Sequence, residues 1–265
     1  MNRPKDYGLI GHPLGHSLSP FIHAEIFKKN GMRCGYSLYD IPPADLNGKY
    51  ALLSSLGGFN VTVPLKELII PFCEKLDKSA DCGSVNCVMD KVGYNTDVFG
   101  FQKAIKALGA NLKSRVCLLG YGGAGKMIAH TVAAAGGQLT VAEITLDKFK
   151  DCKLKANLVK INELKGDFDL LINSTPVGMY PKVKAAPINF KNVNAKFVLD
   201  IVYNPGKTKL LTLAEKKGAK TMNGLIMLVW QAIRSHEIWY GGKISDKDAE
   251  EILKATEEVL DAHNY

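Results

Sequence analysis

With 265 residues, 46 % of them hydrophobic and 23 % charged, the chain has the composition of an ordinary soluble protein of one or two domains. No apolar run reaches the roughly 18 residues that cross a bilayer, and the N-terminus shows no apolar signal region, so a membrane or secreted protein is not expected and a cytoplasmic one is. The net charge of +8 brings nucleic acid to mind, but lysines such as Lys28, Lys29, Lys153, Lys155, Lys216 and Lys217 are spread without aromatic interleaving, which favours a small anionic ligand. Cys34, Cys73, Cys82, Cys87, Cys117 and Cys152 form no CxxC pair and read as free thiols of a reducing compartment.

Along the chain, short β-rich runs alternate with helical patterns: YGLIG, SPFIHAEIFKKNG, CGYSLYDI, ADLNGKYALLSSLG and GFNVT follow one another. Such alternation predicts βαβ units and a mainly parallel sheet. Ser19 before Pro20 is expected to cap a helix that Gly31 closes. VNCVMDKVGYNTD reads as a hairpin around Asp90 and Lys91 that ends a first α/β lobe near residue 97. After the helix VFGFQKAIKALG comes a glycine-rich turn, then QLTVAE, FDLLINST, KFVLDIVY and AKTMNG, a second series of units. SDKDAEEILKATEEVLDAH is an amphipathic helix whose Ile252, Leu253, Ala255, Val259 and Leu260 need a partner surface, expected on the first lobe.

Four places carry chemistry. Gly120, Gly122 and Gly125 form GxGxxG between the apolar strand RVCLL and a helical pattern, where the backbone turns tightly and presents N–H groups to a pyrophosphate. Glu143 ends the next strand, where an acid can hold a ribose 2′-hydroxyl. Lys66 in GFNVTVPLKE and Asp97 in VGYNTDVFG stand at the ends of apolar segments. In a closed cleft a lysine gives up its proton more easily than in water, which suits acid/base work, although an isolated lysine or an aspartate at a helix start is more commonly surface or cap. Ser17 and Ser19 in HPLGHSLSP can donate to a carboxylate, or simply serve the next helix. His12, His16 and His23 lie nearby without metal-ligand spacing, and no metal is expected. Gln231 is a polar residue on an otherwise apolar helix.

Taken together these strings resemble the shikimate dehydrogenase family, in order and over nearly the whole chain: GHPLGHSLSPFIHA, GFNVTVPLK, GSVNCV, GYNTD, GYGGAGK, INSTPVGM, DIVYNPGKTKLL and NGLIMLVWQA. The resemblance implies an α/β chain of two lobes. Residues 1–100, with a C-terminal helix at 243–265 packed back on them, would bind a small anionic cyclic polyol. Residues 101–242 would form a Rossmann-like dinucleotide domain, with the active site in the cleft between the two. It implies hydride transfer between 3-dehydroshikimate and shikimate on the way to chorismate and the aromatic amino acids. Lys66 would be the acid/base and Asp97 its partner. Ser17 and Ser19 would hold the substrate carboxylate, and Asn60, Thr62, Asn86, Tyr203 and Gln231 would complete the substrate site. Gly120, Gly122, Gly123, Ala124, Gly125, Glu143, Thr175, Ile201 and Gly224 would line the cofactor. Where the family usually reads Asn-Arg-Thr, with the arginine on the 2′-phosphate of NADP, this chain reads Glu143-Ile144-Thr145, which favours NAD over NADP. Ser84 and Cys87 replace the common alanine and threonine around Asn86. The alternatives are an NAD-linked quinate/shikimate dehydrogenase, which Glu143 favours and the serine pair does not, and a non-catalytic dinucleotide-binding regulator, which the intact Lys66 and Asp97 disfavour. A monomer or homodimer with no nucleic-acid partner is expected.

Overall fold

A computed structural model describes residues 6–15, 17–149 and 154–262. His16 and Cys152 lie outside the described residues. The chain divides into two compact units, one running to Gly100 and joined by Leu228–Thr256, the other comprising Phe101–Met227 and a final stretch from Glu257.

The first unit contains β1 (Tyr7–Gly11), α1 (Ser19–Lys29), β2 (Tyr36–Asp40), α2 (Leu46–Leu53), β3 (Gly58–Val61), the single turn α3 (Leu65–Leu68), β4 (Lys75–Leu76), β5 (Cys87–Met89), β6 (Val92–Tyr94) and the start of α4 (Asp97–Leu108). Its six-stranded sheet has the order β2-β1-β3-β5-β6-β4. β1 runs parallel to β2 and β3, and the β5–β6 hairpin is antiparallel. Every residue of β1 is buried, as expected of a strand covered on both faces. Ile10, Phe59, Val61, Leu65 and Val88 belong to one core and Tyr7, Phe27 and Trp239 to another. Asp90 and Lys91 both take positive φ, 46° and 61°, the signature of the two-residue turn that suits hairpin twist. Ser19 does not cap α1. Leu18 holds the cap position without a side-chain bond, and the Ser19 N–H instead donates to the Ser17 hydroxyl at 3.2 Å, so the serine two residues upstream supplies the acceptor.

The second unit continues with β7 (Arg115–Leu119), α5 (Gly123–Ala134), β8 (Gln138–Glu143), β9 (Asn157–Lys160), β10 (Gly166–Asn173), β11 (Val193–Asp200), α6 (Lys209–Glu215) and β12 (Lys220–Met222). All six strands are parallel in the order β12-β11-β10-β7-β8-β9. Val116–Leu119, Leu170–Asn173 and Val198–Asp200 are continuously buried, the pattern of strands with helices on both faces. The order reverses between β7 and β10, the switch point at which such sheets open a crevice at their carboxyl ends.

Two long helices close the chain, α7 (Leu225–Tyr240) and α8 (Asp246–Ala262). The main segment of the second unit stops at Met227, inside α7, rather than at the expected residue 242, and the unit takes up the chain again from Glu257, so the last turns of α8 do not belong to the first unit as expected. The reason for the break at Met227 is what the later turns of α7 touch. Trp239 stacks on Tyr7 with centroids 4.9 Å apart and donates its indole N–H to the Val88 carbonyl at 3.2 Å. α8 stays with the first unit through Thr256, and there Lys29 forms ion pairs with Asp248 and Glu251. Among the described residues no helix is long and apolar enough to cross a membrane, and no group of three His, Cys, Asp or Glu side chains is placed to hold a metal.

His23 is fully buried against Tyr36 and Trp239 with no hydrogen bond to either ring nitrogen. Burial first, and the charge of His236 second, push its pKa down to about 3; burial pushes His236 down to about 4. Both groups stay neutral in the folded chain while the unfolded chain binds protons below about pH 6.5. Their stability contribution is therefore complete above that pH and is lost as pH falls toward 4. Urea unfolding should show stability dropping by up to about 1.4 kcal/mol per pH unit for each histidine over this window. His23→Phe should flatten the profile, and an unchanged slope would remove His23 as its source.

Candidate active site

Lys66 sits on α3, one turn beyond β3, and Asp97 is the first residue of α4 beyond β6. Their side chains meet with Nζ to Oδ2 at 2.6 Å, and with relative exposures of 18 % and 13 % the pair is largely screened from water. Backbone contacts hold both ends. The Val85 N–H donates to the Lys66 carbonyl at 2.9 Å, and the Asp97 N–H donates to Asn95 Oδ1 at 3.1 Å. Asn95 is itself fixed, donating through Nδ2 to the Ser84 carbonyl at 2.8 Å and through its backbone N–H to the Ser79 hydroxyl at 2.9 Å. An amine and a carboxylate at hydrogen-bond distance, partly shielded, are equipped to move a proton to or from a bound hydroxyl.

A buried amide network extends from this pair. Asn86 Oδ1 accepts from the Thr96 N–H at 2.6 Å and the Thr96 hydroxyl at 3.1 Å, while Asn86 Nδ2 faces Gln231 Oε1 at 3.5 Å. Gln231 donates through Nε2 to the Leu228 carbonyl at 2.9 Å. Asn60 is engaged on three sides. Its Nδ2 donates to the Asn86 carbonyl at 3.1 Å and the Ser235 hydroxyl at 2.8 Å, and its Oδ1 accepts from the Tyr36 hydroxyl at 2.8 Å. Both amide hydrogens are spent within the protein, which leaves the second lone pair of Oδ1 as the side chain's remaining group for a ligand. Thr62 is half-buried, and among the described residues its hydroxyl makes no hydrogen bond. Ser17 and Ser19 are half-buried at the start of α1. Burial pushes the Tyr36 hydroxyl well above its usual pKa, Cys87 adds to this, and a hydrogen bond from Ser19 opposes it.

Residue type and spacing alone assign no role to Asn95, Thr96, Ser235 and Tyr36. Three of them carry a recoverable signal, since Asn95 and Thr96 lie inside GYNTD and Ser235 follows Gln231 by four residues, hence on the same helix face.

In the second unit the glycine turn lies at the switch point. Gly120 has φ +92°, and a Cβ there would come within 2.8 Å of Thr175 Cγ2; at Gly125 it would lie 2.5 Å from the Gly120 carbonyl. Nothing lies within 4 Å of a Cβ at Gly122 or Gly123, so the turn leaves open space at the N-terminus of α5, and Ala124 is that helix's second residue. Glycines forced close at two positions and open space at the helix start fit a pyrophosphate. Beside it, Asn173 Oδ1 accepts from the Thr175 N–H and hydroxyl, and Asn173 Nδ2 donates to Asp200 Oδ1 at 2.8 Å. Burial raises the pKa of Asp200 against the hydrogen bonds it accepts from Thr208, Asn173 and Val202. Gly224 approaches Ile201 so closely that a Cβ would lie 2.0 Å from the Ile201 carbonyl. Burial raises the pKa of the Tyr203 hydroxyl.

Glu143 turns its carboxylate under the glycine turn. It accepts from the Tyr121 N–H at 2.9 Å, the Ile144 N–H at 2.8 Å and Lys148 Nζ at 3.0 Å. Burial alone would raise its pKa, but the bonds from Ile144, Tyr121 and Lys148 outweigh burial and hold it below the usual value. Ile144 is 70 % exposed, and a cleft of about 640 Å³ is lined by Ile144, Thr145, Asp147, Lys160, Ile161 and Asn162.

Residues 9–88 match the family described as shikimate dehydrogenase substrate binding domain. The shikimate dehydrogenase (NADP(+)) of Caldanaerobacter subterraneus subsp. tengcongensis is 39 % identical over 92 % of this chain and 94 % of its own length. The crystal structure of shikimate 5-dehydrogenase from Thermus thermophilus in complex with NADP(H) and shikimate superposes with a TM-score of 0.85 at 31 % identity, covering 95 % of this chain and 99 % of that one. The shikimate 5-dehydrogenase of Listeria monocytogenes in complex with shikimate and NAD superposes with a TM-score of 0.79 at 29 % identity, covering 94 % and 96 %.

The glycine geometry separates two substitutions. Gly125→Ala should lower unfolding stability by more than about 2 kcal/mol, because the facing backbone carbonyl must move. Gly122→Ala should stay within about 1 kcal/mol of wild type, the scale of a helix-cap change. Equal losses at the two positions in urea unfolding would contradict this assignment.

Proposed function

The chain belongs to the shikimate dehydrogenase family, and on that premise we propose that it catalyses the reversible, nicotinamide-dependent interconversion of 3-dehydroshikimate and shikimate, a step toward chorismate and the aromatic amino acids. The observation that carries this reading is the shielded Lys66–Asp97 pair at 2.6 Å, within the unit that holds the matched substrate-binding segment.

A nicotinamide dinucleotide held at the glycine turn would supply the hydride chemistry at the ring carbon in both directions. Lys66 Nζ donates a proton to the oxygen that becomes the hydroxyl and recovers it in reverse. Asp97 holds Nζ through Oδ2 and offers Oδ1 to a ring hydroxyl. Ser17 and Ser19 donate to the substrate carboxylate, while Thr62 and Asn86 Nδ2 meet ring hydroxyls and Gln231 and Tyr203 complete the site. Gly120, Gly122, Gly123, Ala124 and Gly125 cradle the pyrophosphate, and Thr175, Ile201 and Gly224 serve the dinucleotide beyond it. An NAD-linked quinate/shikimate dehydrogenase is the second reading, and Glu143 favours it.

Lys66→Ala should cut kcat by about 10² to 10⁴ and leave shikimate KM within severalfold, the pattern of lost acid/base catalysis. Near-native kcat would remove lysine from the mechanism. Ser17→Ala and Ser19→Ala should raise KM more than they lower kcat, since a hydrogen bond to a charged group contributes about 1.5 to 3 kcal/mol in ground and transition states alike.

For the cofactor, we infer that NAD is used at least as well as NADP. The ionised Glu143 repels a 2′-phosphate and has a lone pair left for a ribose hydroxyl. Ile144 brings no positive charge, and Lys148 is already paired with Glu143. The kcat/KM ratio of the two cofactors should move toward NADP in the Glu143→Asn, Ile144→Arg double variant. A wild type strongly favouring NADP, or a ratio that does not move, would show that these two positions do not set the preference.

A further inference from the structure

Ser235 lies on α7 one turn beyond Gln231 and is wholly buried. The direction of each proton shows what it does. The backbone N–H of Thr96 can only donate, so the Asn86 atom facing it at 2.6 Å is Oδ1, and Nδ2 is turned the other way. The Asn86 carbonyl can only accept, so Asn60 Nδ2 faces it, and the second Asn60 amide hydrogen goes to Ser235 Oγ at 2.8 Å. Having accepted there, Ser235 passes its own proton to the Gln231 carbonyl at 3.0 Å and keeps a lone pair toward Thr96 Oγ1, 3.2 Å away, so that the one Thr96 hydroxyl proton is shared between Ser235 Oγ and Asn86 Oδ1. Ser235 thereby joins Asn60 to Thr96, the two residues that bracket Asn86. Asn60, Asn86, Thr96 and Ser235 are all at least 95 % buried, so water cannot replace a bond that is lost.

We propose that Ser235 is a positioning residue for substrate binding: through Asn60 and Thr96 it holds the Asn86 amide with Nδ2 toward the ligand, so that Asn86 presents a hydrogen-bond donor to a ring hydroxyl. This rests on the reading that Asn86 meets the substrate. It also predicts the sense of recognition at that position, an oxygen that accepts rather than a group that only donates.

The test is steady-state kinetics with shikimate on the full chain, in a double-mutant cycle. Ser235→Ala should raise shikimate KM about threefold to tenfold, the scale of one buried hydrogen bond, with kcat within about twofold and dinucleotide KM unchanged. In an Asn86→Ala background the same change should add less than about twofold, because Ser235 acts through Asn86. Native KM for Ser235→Ala, or an equal rise in both backgrounds, overturns the proposal. Thr96→Val removes the hydroxyl that touches both Ser235 and Asn86 Oδ1, at nearly constant volume, and should raise KM at least as much as Ser235→Ala, with Thr96→Ser restoring native KM; a Thr96→Val enzyme of native KM likewise overturns it. Asn86→Ala alone separates the two levels. If it leaves KM untouched, the assignment of Asn86 to the substrate falls and the role of Ser235 with it; if it raises KM while Ser235→Ala does not, only the role of Ser235 falls.

Discussion

The first unit depends on one buried amide. Asn60 stands at the centre of β3, and its three hydrogen bonds run to the Tyr36 hydroxyl on β2, to the carbonyl of Asn86 just before β5, and to the Ser235 hydroxyl on α7. A buried amide left short of one partner costs about 1 to 3 kcal/mol, so each of these elements is held in one register relative to β3. An apolar residue of similar size would fill the same space, but Leu or Met there would let α7 slide by a fraction of a turn. The polar group makes the placement specific, and that placement brings Gln231 opposite Asn86.

The second unit solves a different problem, bringing backbone close to backbone. Gly120, Gly125 and Gly224 are each confronted by main chain or a short side chain at a distance no Cβ tolerates. Ser174 seals the switch point, donating from its hydroxyl to the carbonyl of Leu119 at 2.9 Å. The first unit uses the same device where Gly58 leaves room for the Trp239 indole, which a Cβ would approach to 2.3 Å.

Much of this is legible in the sequence. The glycine turn, the hairpin around Asp90 and Lys91, and the strands QLTVAE and FDLLINST announce themselves through local pattern, since turn chemistry and buried parallel strands leave periodic traces. Lys66 and Asp97 stand out as a pair although 31 residues separate them. The cap of α1 is misplaced by residue type because Ser19 is a good cap residue, whereas the path of the loop puts Leu18 at the cap position and Ser19 inside the helix. For Asn60, residue type says that an amide will bind something, and only tertiary packing brings Tyr36, Asn86 and Ser235 to it. The end of the second unit inside α7 is invisible, since a continuous helix carries no boundary signal where its neighbours change.

Glu143 shows why cofactor preference resists reading from residue type alone. A carboxylate at the end of β8 suits a ribose, yet here it first serves the protein, joining the Tyr121 and Ile144 amides to Lys148. Two backbone N–H donors keep it ionised despite its burial, so a negative charge is built into the glycine turn itself. Lys148 offsets that charge only in part, because its own side chain is half exposed and screened by water. Removing Glu143 would therefore free Lys148 to meet a phosphate and at the same time release the Tyr121 amide that helps shape the turn. Charge and turn geometry are coupled through one side chain, and a substitution at this position brings a change in how firmly the turn is held.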